Sequence, residues 1–213
     1  MTMTGEVSAV VALVLYALGL VVTFGVRTWA HHRTTGSSGF RGLSGRPGSA
    51  PWWGGVLFAA ALLLATIGLV LATTGTLPTA AVPAAARWVG MAAAISGFVG
   101  VVLAQSGMGT SWRIGVDPAE RTTLVTSGAF AIARNPIFTA MCVALAGLVF
   151  MVPTVLTVTG LVCLVVAVQL QVRVVEEPYL LATHGEKYAG YAARVGRFVP
   201  GVGRLRATNP MVR

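Results

Sequence analysis

Apolar and polar positions along this chain fall into long blocks rather than into short alternations. Continuous apolar runs occupy about 7–26, 53–74, 88–108, 137–152 and 154–175. Each lies near the ~17 to 25 residues that cross a hydrocarbon core, the fourth being the shortest. None shows the period-two alternation of a membrane strand, so the pattern predicts five transmembrane helices in an all-α, polytopic membrane protein. A tight turn at 151–154 makes the fourth and fifth helices an antiparallel pair. Within the third run Ala86, Gly90, Ala93, Gly97, Gly100 and Ala104 recur at steps of four and three, a face of small residues suited to close helix packing within or between chains.

Beyond the fifth run, "YLLATHGEKYAGYAARVGRFVP" is too polar to span. Tyr188, Tyr191, Val195 and Phe198 recur at steps of three and four beside Lys187, Arg194 and Arg197, which predicts a C-terminal amphipathic helix on the cytoplasmic face. The stretch 34–51, "TTGSSGFRGLSGRPGSAP", reads as a flexible connection and lacks the Gly-Lys-Ser/Thr ending of a phosphate loop. The chain divides into an N-terminal two-helix region, 1–86, and a core, 87–213. The first run has no cation ahead of it and reads as a retained helix rather than a signal peptide.

Composition strengthens the membrane assignment: 55% of residues are hydrophobic and 10% charged, with a mean hydropathy of +0.80. Charge orients it. Of the 15 Lys and Arg residues, Arg87 alone falls on one side of the predicted membrane and the others fall together on the opposite side. The positive-inside bias makes that side cytoplasmic, with the N-terminus outside and the C-terminus inside. The net charge of +9 then matches membrane lipids as partners and calls for no nucleic acid. Cys142 and Cys163 lie in apolar runs, and His31, His32 and His184 do not cluster, so no metal site is expected.

Candidate chemistry gathers at the mouth of the last hairpin. "ARNPIF", 133–138, opens the fourth run, and "RVVEEPY", 173–179, closes the fifth. Measured from the turn at ~1.5 Å per residue, Asn135 and Glu176 lie at nearly the same depth. Two readings stay open. Asn135 is an N-cap, Pro136 the first helical residue and Arg134 a snorkelling cation; or these groups meet the Glu176–Glu177 pair in a functional pocket, since paired carboxylates at a membrane-length run are commonly paired or functional.

At these residues the chain resembles the isoprenylcysteine carboxyl methyltransferase and phospholipid methyltransferase superfamily of integral membrane enzymes. The resemblance rests on "RNPIF" at 134–138, "EEPYL" at 176–180, "GEKYAGY" at 185–191 and "RFVP" at 197–200, with "LVTSGAF" at 124–130 as the lead-in. Asn135 stands where the family usually has His, and Phe138 where it usually has Tyr; Asn donates a hydrogen bond but does not shuttle protons.

The resemblance implies methyl transfer from S-adenosylmethionine to a lipophilic or amphiphilic small molecule. It also implies that Thr126, Gly128, Arg134, Asn135, Pro136, Glu177, Tyr188, Tyr191, Arg197 and Pro200 lie on the cofactor side. Arg173 and Glu176, where an amphiphile's head would sit, are the candidates for the acceptor side, extended by Ser111 and Arg113. Two alternatives remain: a sterol-reductase-like oxidoreductase, and a non-enzymatic scaffold or transporter component. No run carries an acidic residue at its middle, which disfavours ion-coupled transport.

Overall fold

The computed structural model describes residues 3–36, 45–109 and 123–205. Ser111, Arg113 and the middle of the Gly/Ser-rich connection lie outside the described residues. Within them the chain is helical, without strands: α1 Gly5–Leu20, a π-helical turn Val21–Val26, α2 Arg27–Thr35, α3 Ala50–Thr73, α4 Ala84–Gly107, a short 3-10 turn Gly128–Ala131, α5 Pro136–Met151, α6 Val155–Leu170, a second π-helical turn Gln171–Glu176, α7 Glu177–His184 and α8 Glu186–Arg194.

Four of the described helices are long and apolar enough to cross a membrane: Gly5–Thr35, Ala50–Thr73, Ala84–Gly107 and Val155–His184. The fifth expected span, Pro136–Met151, is apolar but has only 16 residues, ~24 Å of helix. The first and last of the long helices outrun their apolar sequence by continuing through π-helical turns. Ahead of Pro178 the widened turn has a plain cause. Proline has no N–H, and its ring collides with the carbonyl four residues back, so a regular α-turn cannot pass through it. In the first helix the Thr23 hydroxyl donates to the Gly19 carbonyl at 2.6 Å, a back-bond that bends helices. The Thr23 carbonyl accepts from buried Gln105 Nε2 of α4 at 3.1 Å.

Small residues decide which helices touch. α4 lies most closely against α5, and a Cβ added at Gly97 would collide with the Ala144 backbone, while one at Gly90 would come within 2.6 Å of the Gly147 carbonyl. The predicted small-residue face is therefore a seam inside the chain, centred on Gly90, Ala94, Gly97, Val101 and Ala104, with Ala86, Ala93 and Gly100 at its half-buried edge. A second seam, not anticipated, sets Ala61, Ala65 and Gly68 of α3 against Thr157 and Gly160 of α6. The turn at 152–154 is as tight as predicted, yet α5 and α6 pack more on α4 and α3 than on each other, because those seams admit closer approach. Thr154 caps α6 through a reciprocal pair with Thr157, both buried.

The α4–α5 seam makes a direct prediction. Gly97→Ala should lower stability by ~1 to 3 kcal/mol through overpacking. Gly107→Ala, where a Cβ meets nothing within 4 Å, should stay within ~0.5 kcal/mol of the parent. Thermal unfolding of the two variants in detergent, followed by intrinsic fluorescence, checks both.

Candidate active site

The end of the bundle where α5 begins and α6 runs on into α7 is closed by a polar clasp. Ala133 and Gly196 form an isolated parallel bridge, extended by Arg134 N–H donating to the Gly196 carbonyl at 2.9 Å and Asn135 N–H donating to the Arg197 carbonyl at 3.0 Å. The 195–205 segment is thus laid alongside the start of α5. Its shape depends on glycine: a Cβ at Gly196 would collide with the Val199 carbonyl, and Gly203 sits at φ +73°, a left-handed conformation that favours glycine. Those turns aim backbone carbonyls inward.

Arg134 fills the space they surround. Its Nη1 donates to the carbonyls of Ala192 at 2.8 Å and Val195 at 2.7 Å, and its Nη2 donates to Gly203 O at 3.2 Å and to the Glu177 carboxylate. Only 1% of the side chain is exposed. Arg134 therefore does not snorkel. Glu177 also receives Arg197 in a forked contact, Nε to Oε1 and Nη2 to Oε2, both 2.8 Å. That bond holds the Arg197 guanidinium above its usual pKa range.

Asn135 occupies the N-cap position of α5 and Pro136 its first turn, as the cap reading expects, but the Asn135 side chain makes no capping bond. Its Nδ2 instead donates to the Arg197 carbonyl at 3.0 Å. Tyr188 and Tyr191, on the inner face of α8, meet edge to face with ring centres 6.1 Å apart, and the Tyr191 hydroxyl donates to the Phe130 carbonyl at 2.6 Å. Burial pushes both phenols up to about 12, with the neighbouring Glu177 charge adding to the shift at Tyr188, so near neutrality both are O–H donors. The α8 face packs on Leu124, Leu180, Val195 and Leu205, and the helix ends at Arg194, so Val195 and Phe198 of the expected stripe lie beyond it.

The expected cofactor-side residues thus divide. Arg134, Asn135, Glu177, Tyr188, Tyr191 and Arg197 come together, with Pro136 starting the helix beneath them. Thr126, Gly128 and Pro200 are exposed in the flanking segments. The two glutamates part company: Glu177 is buried in the clasp, whereas half-buried Glu176 accepts from Gln171 Nε2 at 3.4 Å. Arg173 is exposed, and its Nε donates to Gln169 Oε1 at 2.7 Å. Sequence reasoning missed Thr139, whose hydroxyl donates to the Phe198 carbonyl at 2.8 Å, and the inward carbonyls of residues 192–203. The glycines at 196, 201 and 203 were their one visible signal. Among the described residues no three His, Cys, Asp or Glu side chains gather as metal ligands.

Residues 85–187 match the family model for phospholipid methyltransferase. Over that region the chain is similar to phospholipid methyltransferases. The match agrees with the resemblance to isoprenylcysteine carboxyl and phospholipid methyltransferases, and the apolar helices agree with an integral membrane protein. No curated protein and no solved structure matches. The matched region takes in Arg134 and Glu177 and ends at Lys187 within α8, so Arg197 and the carbonyl-bearing loop lie beyond it and meet it at the clasp.

If Arg134 is the centre of that clasp, replacing it removes four internal bonds at once. Arg134→Met should cost ~3 to 5 kcal/mol, as breaking a buried pair does, and Arg134→Lys should fall between Met and the parent, since one ammonium cannot serve four separated acceptors. Chemical unfolding in mixed micelles measures both. A snorkelling arginine would tolerate Lys without loss.

Proposed function

We propose that this protein is an S-adenosylmethionine-dependent methyltransferase acting on a lipophilic or amphiphilic small-molecule acceptor. The observation that carries the reading lies in the clasp, which holds more donors than its own acceptors use. Arg134 Nε is buried with no partner, and neither Arg197 Nη1 nor the Tyr188 hydroxyl bonds to a described residue. Two guanidinium groups against one carboxylate, with donors left over, suit the carboxylate and ribose of that cofactor. The bound cofactor would supply an electrophilic methyl carbon.

In this reading Arg197, Tyr188 and Asn135 touch the cofactor, while Arg134 and Glu177 fix the position of Arg197 and of the loop that carries it. Tyr191, Pro136, Thr126, Gly128 and Pro200 flank the same space. Arg173 and Glu176 are the acceptor-side residues of this reading, to which the sequence adds Ser111 and Arg113, outside the described residues. The chain's part is to align the reactants and keep water away, which suits an in-line displacement. Asn135 holds a backbone carbonyl and moves no proton. Pro136–Met151 is the fifth crossing, 87–213 the catalytic core, and the clasp faces the cytoplasm, the side favoured by the Arg-rich ends. A lipid-facing acceptor would then arrive sideways and the cofactor from water. The family match favours this reading over a nicotinamide-dependent reductase or a scaffold.

Calorimetric titration with S-adenosylhomocysteine tests it. The parent protein should bind, and Tyr188→Phe should weaken binding by roughly 2- to 12-fold, the worth of one neutral hydrogen bond, without lowering thermal stability. No binding by the parent, or heat with a nicotinamide dinucleotide instead, would overturn the proposal.

A further inference from the structure

The first helix carries a second constellation, outside the matched region and independent of methyl transfer. Past its π-helical turn the helix continues as α2, and Phe24, Gly25, Thr28, Trp29 and His32 line an open groove of about 630 Å³ on one face. Gly25 forms the notch in that face: a Cβ there would meet nothing within 4 Å. Toward the apolar end the surface continues through exposed Val21, Val22 and Val26. Toward the polar end Trp29 is 57% exposed, and the Arg33 guanidinium lies 4.6 Å from its ring centre.

These parts have the order of an amphiphile. An indole at the end of a membrane-length helix sits at headgroup level, next to both water and acyl chains. A guanidinium stacked on a ring is held flat yet keeps its in-plane N–H donors for an acceptor. Arg33 makes no hydrogen bond to a described residue, unlike Arg27, whose Nη2 donates to the carbonyls of Gln105 and Gly109 and caps α4. His32 is exposed beside it. No carboxylate lies on α2, and the only one in the Gly5–Thr35 helix is Glu6 at its opposite end, so nothing on this helix would hold the ammonium of a zwitterionic head. The charge complement is a net-negative headgroup.

We propose that this face of the first helix is a binding site for an anionic glycerophospholipid, its phosphate on Arg33 and His32 and an acyl chain in the notch at Gly25.

Trp29 reports on its own site. The full-length protein is reconstituted in phosphatidylcholine vesicles containing increasing fractions of dibromo-phosphatidylglycerol or of dibromo-phosphatidylcholine, and the same series with Trp29→Phe is subtracted to isolate the Trp29 signal. The anionic lipid should quench Trp29 at an about five-fold lower mole fraction than the zwitterionic one, the advantage of one interfacial cation. Arg33→Gln should bring the two lipids to parity. Gly25→Leu, which fills the notch without an internal clash, should weaken quenching by both. Equal quenching by the two lipids in the parent, or an anionic preference that survives Arg33→Gln, would overturn the proposal. So would relief of quenching by added inorganic phosphate, which would make this a site for free anions rather than lipid.

Discussion

One buried carboxylate holds one end of this helical bundle together. Glu177 takes Arg134 from the start of α5 and Arg197 from the C-terminal loop, and so ties three segments that are remote in sequence. Two cations against one anion would be costly in a dry site if the carboxylate were their only partner. The backbone makes up the difference: the carbonyls of Ala192, Val195 and Gly203 accept from Arg134, so its charge is spread over dipoles as well as over one counter-ion. The network is saturated on the Arg134 Nη side and incomplete on the Arg197 side. That asymmetry makes one arginine a frame and leaves the other with donors to offer.

The helices serve this meeting of ends. Glycine and alanine seams fix α4 on α5 and α3 on α6. A short turn at 152–154 then sets α5 and α6 to return to one depth, which brings residue 134 opposite residue 177. The π-helical turn ahead of Pro178 lets the last long helix pass a proline without stopping, so Glu177 stands on continuous helix. A helix ending where the apolar run ends would leave that carboxylate on a loose tail.

Much of this was legible in the sequence. Apolar runs located the helices to within a few residues, the small-residue periodicity marked the α4–α5 seam, and counting from the turn brought "ARNP" to "EEP". What the sequence concealed has physical reasons. Polar residues end an apolar run but not a helix, so α2 and α7 extend past the expected ends. Adjacency in sequence suggested that α5 and α6 pair, whereas closeness of packing is decided by glycine, which each finds on another helix. The role of Arg134 was ambiguous because its main partners are carbonyls, which every residue has and no sequence motif displays.

In the proposed function, Glu177 organises the C-terminal loop into the cofactor side of the site. Amide hydrogen exchange over residues 192–205, with and without S-adenosylhomocysteine, in the parent and in Glu177→Gln, tests it most directly. The account predicts slow exchange at Arg197, Val202 and Leu205 in the parent, whose N–H groups donate to backbone carbonyls, and further slowing with ligand. In Glu177→Gln it predicts faster exchange at those amides and little ligand-induced slowing. Unchanged protection and an unchanged ligand response in Glu177→Gln would contradict it.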